Sequence, residues 1–151
     1  MNVAVVDLGL GNLGSVLQAL RRAGGQPELV TDPGTVSQAP RVVLPGVAAF
    51  GLGMDRAAKF KPALQEALSR RAPVLAICLG MQILFEEGEE DGLRPGLGLL
   101  PGRVECGLVV RGAGEALQLR ISQRSPGTTY TQILRLGQFR TSLQKRNVPW
   151  R

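Results

Sequence analysis

The run Val74-Leu75-Ala76-Ile77-Cys78-Leu79-Gly80-Met81-Gln82 places a thiol between small residues two positions before and two positions after it. Ala76 and Gly80 would permit a sharp turn from a strand into a helix, the layout of a nucleophile elbow. A thiol at such a turn lies near a helix N-terminus, whose partial positive charge favours the thiolate. The next backbone N–H, that of Leu79, would point at a developing oxyanion. The chemistry is nucleophilic attack by Cys78, with backbone amides holding a charged tetrahedral oxygen. The plainer reading of the same residues is a buried structural cysteine.

Two further loops could share a crevice with that thiol. Gly9-Leu10-Gly11-Asn12-Leu13-Gly14 matches G-x-G-x-x-G after an apolar run, with Asp32 further on, a dinucleotide-binding fingerprint on paper. The first turn of any doubly wound sheet also favours glycine. Leu44-Pro45-Gly46-Val47-Ala48-Ala49-Phe50-Gly51 follows another apolar run, and its Pro-Gly pair could aim an N–H at the same oxyanion as Leu79. It could equally be an ordinary turn.

The elements that must position these loops alternate along the chain. Asn2 to Asp7 predicts a strand, 12–23 a helix, Pro27 to Thr31 a strand and Asp32-Pro33-Gly34 a turn. A third strand is expected over Arg41 to Leu44, a loop over 45–53, a helix over 54–71 and a fourth strand over Pro73 to Ile77. A helix over 79–86 and a solvated acidic loop over 86–91 follow, and 97–105 returns toward the sheet through Pro101-Gly102. Apolar strands between helices indicate an α/β fold, a doubly wound and mostly parallel sheet with helices on both faces.

Charge divides the chain in two. Residues 1–105 carry 10 Lys+Arg against 11 Asp+Glu, net −1, whereas 106–151 carry 8 against 1, net +7. The expected division is therefore a 1–105 core and an atypical basic segment, 106–151, of the same domain, with strands near 107–110 and 116–121. The dispersed basic residues of that segment argue against a nucleic-acid partner. No apolar run approaches a bilayer span and the start lacks an export signal, so a cytoplasmic protein with no membrane partner is expected, with Cys78 and Cys106 as free thiols. The 151 residues contain no histidine, which argues against a metal site.

Three separated motifs in register carry a resemblance. They are Asp7-Leu8-Gly9-Leu10-Gly11-Asn12-Leu13; Leu44-Pro45-Gly46-Val47 with Phe50-Gly51 and Met54; and Ile77-Cys78-Leu79-Gly80-Met81-Gln82 with Leu84-Phe85-Glu86 and Glu89-Glu90. Gly98-Leu99-Leu100-Pro101-Gly102 continues the series. Over residues 1 to 104 the chain resembles the class I glutamine amidotransferase subunits of imidazole glycerol phosphate synthase, which makes the G-x-G-x-x-G match a coincidence.

The resemblance implies a flavodoxin-like fold in which Cys78 attacks the side-chain amide of glutamine, giving a thioester and ammonia without a cofactor. It implies that Gly46, Val47 and Leu79 line the oxyanion site and that Gln82 and Gly80 hold the substrate. Gly11 and Asn12 would face a (β/α)₈ cyclase subunit, forming a heterodimer that receives the ammonia in histidine biosynthesis. Ala48 and Ala76 stand where the family usually has glycine.

The family's triad also requires a histidine and a glutamate from a late H-P-E motif. Without them, little or no glutaminase activity is expected of this chain. Gly127-Thr128-Thr129, Phe139, Ser142-Leu143, Lys145 and Asn147-Val148 faintly resemble the stretch that precedes that motif. The arginine-rich, acid-poor character after Glu105 is what a disrupted reading frame would produce, which resequencing the coding DNA would settle.

Overall fold

The computed structural model describes residues 1–90, 92–110, 115–122, 129–135 and 142–145, with side chains described as far as Glu105 except at residue 91. The faint likeness at Gly127, Thr128, Phe139 and 147–148 lies outside the described residues, as does the Cys106 side chain. Two compact units, Met1–Leu84 and Phe85–Arg151, divide the chain.

In the first unit β1 (Asn2–Val6), β2 (Gln26–Val30), β3 (Val42–Gly46) and β4 (Val74–Cys78) form a wholly parallel sheet in the order β2-β1-β3-β4. Their apolar residues are the reason. Val5, Val6, Val42 and Leu44 are almost completely buried, as a sheet covered on two faces requires. Helix α1 (Leu13–Arg22) sets Val16, Leu17 and Leu20 against Val3, Val5 and Val43 on one face. The next layer buries Val36 of α2 (Pro33–Gln38), Phe50 and Ala57 of α3 (Phe50–Ala57), Phe60 of a 3₁₀ turn (Ala58–Phe60), and Leu64 and Ala67 of α4 (Lys61–Ser69).

Local chemistry fixes the element ends. Asn12 Oδ1 accepts from Ser15 N–H at 3.2 Å to cap α1, whose last turn carries Arg21 and Arg22. Gly24, at φ 80°, closes that helix by donating to Arg21 O, and Gly25 donates to Leu20 O. Asp32 Oδ2 accepts from Thr35 N–H at 2.8 Å, and Pro33 starts α2, so the expected Asp-Pro-Gly turn is a helix cap followed by a helix. The single helix expected over 54–71 is two helices separated by the 3₁₀ turn, because Pro62 stands in the first turn of α4, where its missing N–H is tolerated. Arg70 then ties the end of α4 to α2, donating to the carbonyls of Ser37 and Ala39.

Helix α5 is one turn (Leu79–Gln82), shorter than expected, because β5 (Phe85–Glu89) begins a second sheet. That strand replaces the expected acidic loop. Phe85 and Gly88 are buried, and Arg103 binds the Glu87 carboxylate at 2.6 Å. The second unit's sheet runs β10-β9-β8-β7-β5-β6, with β6 at Leu93–Pro95, β7 at Leu100–Val110, β8 at Glu115–Ser122, β9 at Thr129–Arg135 and β10 at Ser142–Lys145. Strand β7 is parallel to β5; the β7-β8-β9-β10 series is antiparallel. The change in charge at residue 105 falls inside β7.

Candidate active site

Strand β4 ends on Cys78, whose backbone adopts φ 54° and ψ −118° before α5 begins at Leu79. A non-glycine residue there is strained, and such strain persists only where the surroundings enforce it. The enforcement comes from two glycines. A Cβ on Gly80 would fall on the Leu44 carbonyl group, 2.8 Å from its carbon, so α5 presses onto β3 in a way only glycine allows. A Cβ on Gly46 would lie 3.2 Å from Leu79 Cβ and 3.3 Å from Gly80 N. The elbow expected from small residues around Cys78 is present, and its thiol is free and partly exposed.

Parallel register brings the second loop to the first. Gly46 is the direct partner of Cys78 across β3 and β4, with Pro45 opposite Ile77. Pro45 and Gly46 therefore belong to the end of β3, not to a loop, and α3 follows after only three residues. Leu79 is 1% exposed, and its N–H opens a helical turn, where no intrahelical acceptor is available to it. Val47 is 64% exposed at the rim, and Gln82 is a buried polar residue at 7% exposure.

The first glycine loop joins this cluster through Gly11. At φ 124° it occupies a conformation that side chains avoid, and a Cβ there would lie 3.6 Å from Val47 N. Asp7 Oδ1 accepts from Gly9 N–H at 2.7 Å and shapes the turn. Asp32 is engaged at the cap of α2, and the Thr35 backbone N–H followed by its hydroxyl holds its carboxyl below the ordinary range. These engagements give Gly9, Gly11 and Asp32 a structural explanation without a nucleotide.

Two residues that sequence reasoning overlooked support the site. Leu44 supplies the carbonyl under Gly80, and Gly53 of α3 lies beneath Leu79, where a Cβ would approach Leu79 Cδ2 to 2.8 Å. With 45–53 read as a loop, nothing in the sequence marks Gly53 as a mid-helix packing contact; the fold alone places it inside α3. A groove of about 1,000 Å³ that includes Val3, Val30, Asp32, Thr35 and Gln38 touches none of the residues gathered around Cys78. Among the described residues no group of three or more His, Cys, Asp and Glu is placed to hold a metal ion, and no helix is long and apolar enough to cross a membrane.

What can this arrangement do? A thiol at a strained bend beside the N–H that opens a helical turn can attack a carbonyl and hold the resulting oxyanion. Comparison with known proteins points the same way. The family profile described as Glutamine amidotransferase class-I matches residues 4–132. The imidazole glycerol phosphate synthase subunit HisH of Symbiobacterium thermophilum is 51% identical over 104 residues, covering 68% of this chain and 49% of that protein. The HisH of Halobacterium salinarum is 47% identical over 107 residues, with 68% and 49% covered. The HisH of Synechococcus elongatus is 45% identical over 126 residues, with 78% and 58% covered. A crystal structure of a glutamine amidotransferase superposes with a TM-score of 0.62 at 17% identity, covering 83% of this chain and 76% of that one, a likeness of fold. The chain spans about half the length of the first two of these relatives.

Proposed function

Because the chain belongs to the class I glutamine amidotransferase family, we propose that it is the glutamine-hydrolysing part of an imidazole glycerol phosphate synthase, acting in the cytoplasm in histidine biosynthesis. The observation that carries this reading is the register of Gly46 with Cys78 at a backbone bend of φ 54°. Identity of 45–51% to HisH subunits supports it.

In this reading the Cys78 thiolate attacks the side-chain carbonyl carbon of glutamine. The carbonyl π electrons move onto oxygen, and backbone N–H groups around Gly46, Val47 and Leu79 receive the negative charge. Gln82 and Gly80 form the floor against which the substrate lies. Collapse of the tetrahedral species expels ammonia once its nitrogen has gained a proton, leaving a thioester that water hydrolyses to glutamate. Gly11 and Asn12, beside Val47, present the surface to a (β/α)₈ cyclase subunit that takes the ammonia in a heterodimer. Residues 1–105 act as the amidotransferase core, and 106–151 as an atypical basic segment of the same domain.

One piece of chemistry is not supplied from within. A general base for the thiol and a general acid for the leaving amine are usually one imidazole, and the chain contains no histidine. By analogy with triads in which the base is removed, its turnover is lower by about 10⁴ to 10⁶. That lack favours a second reading, in which the chain docks on the cyclase without chemistry.

The two readings separate in one assay. The chain, the cyclase subunit and glutamine are mixed, ammonia is measured, and a glutamine-analogue electrophile is used to label the protein for mass spectrometry. Slow ammonia release that Cys78→Ser abolishes, with label on Cys78, supports the first reading. Binding with neither release nor label leaves only the second, and failure to bind the cyclase rules out both.

A further inference from the structure

The parallel sheet reverses its strand order at β1, and ligands in such sheets collect beyond the carboxyl ends of the strands. Cys78 and Gly46 occupy one part of that edge. A separate cavity of about 250 Å³ lies at another, lined by Asp7, Leu8 and Gly9 after β1, Thr31 after β2, and Arg56 and Lys59 on the crossover that follows β3. It shares no residue with the thiol site. It is smaller than the cavities of about 300–1,000 Å³ that take drug-sized ligands, so its occupant is small.

Its charges are arranged in a particular way. Asp7 spends one carboxylate oxygen on Gly9 N–H at 2.7 Å, and its second oxygen has no partner among the described residues. Lys59 gives one hydrogen to Thr31 O at 3.1 Å, stands 4.9 Å from the centre of the Phe60 ring and acts electrostatically on the Asp32 carboxylate, the weakest of that group's influences, leaving two of its three donors without a hydrogen-bond acceptor. Arg56, one helical turn before Lys59, makes no hydrogen bond or ion pair among the described residues and is exposed. Leu8, 4% exposed, is the apolar member of the lining.

We propose that this cavity binds a free α-amino acid as a zwitterion, its ammonium on Asp7 and its carboxylate on Arg56 and Lys59. A simple anion would satisfy the two cations but would meet the Asp7 charge; a simple cation would meet the reverse. Only a ligand carrying both charges a few bonds apart satisfies all three groups. The two chain-fixed charges, Asp7 on its turn and Lys59 on Thr31, are already held before a ligand arrives, which lowers the entropic cost of binding.

The test is an amide-detected NMR titration of the 151-residue chain with glycine, acetate and methylamine in turn. Glycine is expected to give saturable shifts at the Gly9 and Thr31 amides, with a Kd at least about tenfold below those of acetate and methylamine. The double variant Arg56→Gln, Lys59→Gln should weaken glycine by at least about tenfold, and Asp7→Asn, whose side-chain oxygen can still accept from Gly9, should remove the preference for glycine over acetate. Acetate binding as tightly as glycine would reduce the cavity to an anion site and overturn the proposal. So would a double variant that binds glycine like the parent, or a titration without saturable shifts. The three-ligand series on the unaltered chain decides the matter even if a variant does not fold.

Discussion

Gly80 lies against the carbonyl group of Leu44 so closely that a β-carbon on the glycine would stand 2.8 Å from the carbonyl carbon. The one-turn helix after Cys78 is thereby seated on the strand whose last residue, Gly46, pairs with Cys78. The atom under Gly80 is backbone, so no rotamer change can make room. Gly80→Ala is therefore expected to destabilise the fold by about 3 kcal/mol or more, the upper end of overpacking penalties. Urea unfolding followed by circular dichroism measures it, and a loss under about 1 kcal/mol would mean that the elbow can shift away from β3.

Cys78 itself offers a contrast of sign. Its φ of 54° costs energy for any residue with a side chain and almost none for glycine. Replacing it by alanine removes the thiol and keeps the strain, whereas replacing it by glycine removes both. Cys78→Gly is expected to be more stable than Cys78→Ala by about 1 kcal/mol, after allowing for the larger unfolded-state entropy of glycine. Equal stability of the two variants would show that the bend is relaxed in solution.

The parts of this architecture that could be read from sequence are those set by local pattern. Short apolar runs separated by amphipathic stretches gave the four parallel strands, and Ala76 and Gly80 flanking Cys78 gave the elbow. Asp32-Pro33-Gly34 reads as a turn but caps a helix, because Asp-Pro opens turns and helices alike and only the Thr35 amide decides between them. A single helix over 54–71 passes over Pro62, which sits in the first turn of a separate helix, α4. Strand β5 was hidden because Glu86 and Glu87 resemble solvated loop residues until Gly102 N–H and Arg103 arrive from 16 residues away. Gly53 beneath Leu79, and the Leu44 carbonyl beneath Gly80, are tertiary contacts that no periodicity encodes.

The cap of α2 makes part of the stability depend on pH. Hydrogen bonds from Thr35, first the backbone N–H and then the hydroxyl, hold the Asp32 carboxyl below its ordinary value in the folded chain. A folded value lower than the unfolded one means that the stabilisation is present above the unfolded value. It is lost as pH falls through the folded one. Asp32→Ala should thus melt below the parent at neutral pH, and the gap should narrow between about pH 5 and pH 2. Asp32→Asn, which still caps the helix but cannot ionise, should lack this narrowing. A parent-to-alanine gap that stays constant over the range would show that the cap works without its charge.

Strand β4 has one side that does not follow the rule for its neighbours. Leu44 on β3 is fully buried, yet Leu75 and Ile77 on β4 are 54% and 37% exposed, while Val74, Ala76 and Cys78 are half-buried. β4 is also the last strand of its sheet. An apolar residue at such a place contributes little to the core, and at a sheet edge it invites pairing with another chain. Leu75→Lys is therefore expected to change unfolding free energy by less than about 0.5 kcal/mol, while Leu44→Ala, which empties a packed position, costs about 2–5 kcal/mol. Light scattering of the same samples should show less self-association for Leu75→Lys than for the parent, because an added edge charge opposes strand-to-strand contact. A loss above about 2 kcal/mol for Leu75→Lys would mean that this face is covered in solution, as a core position would be.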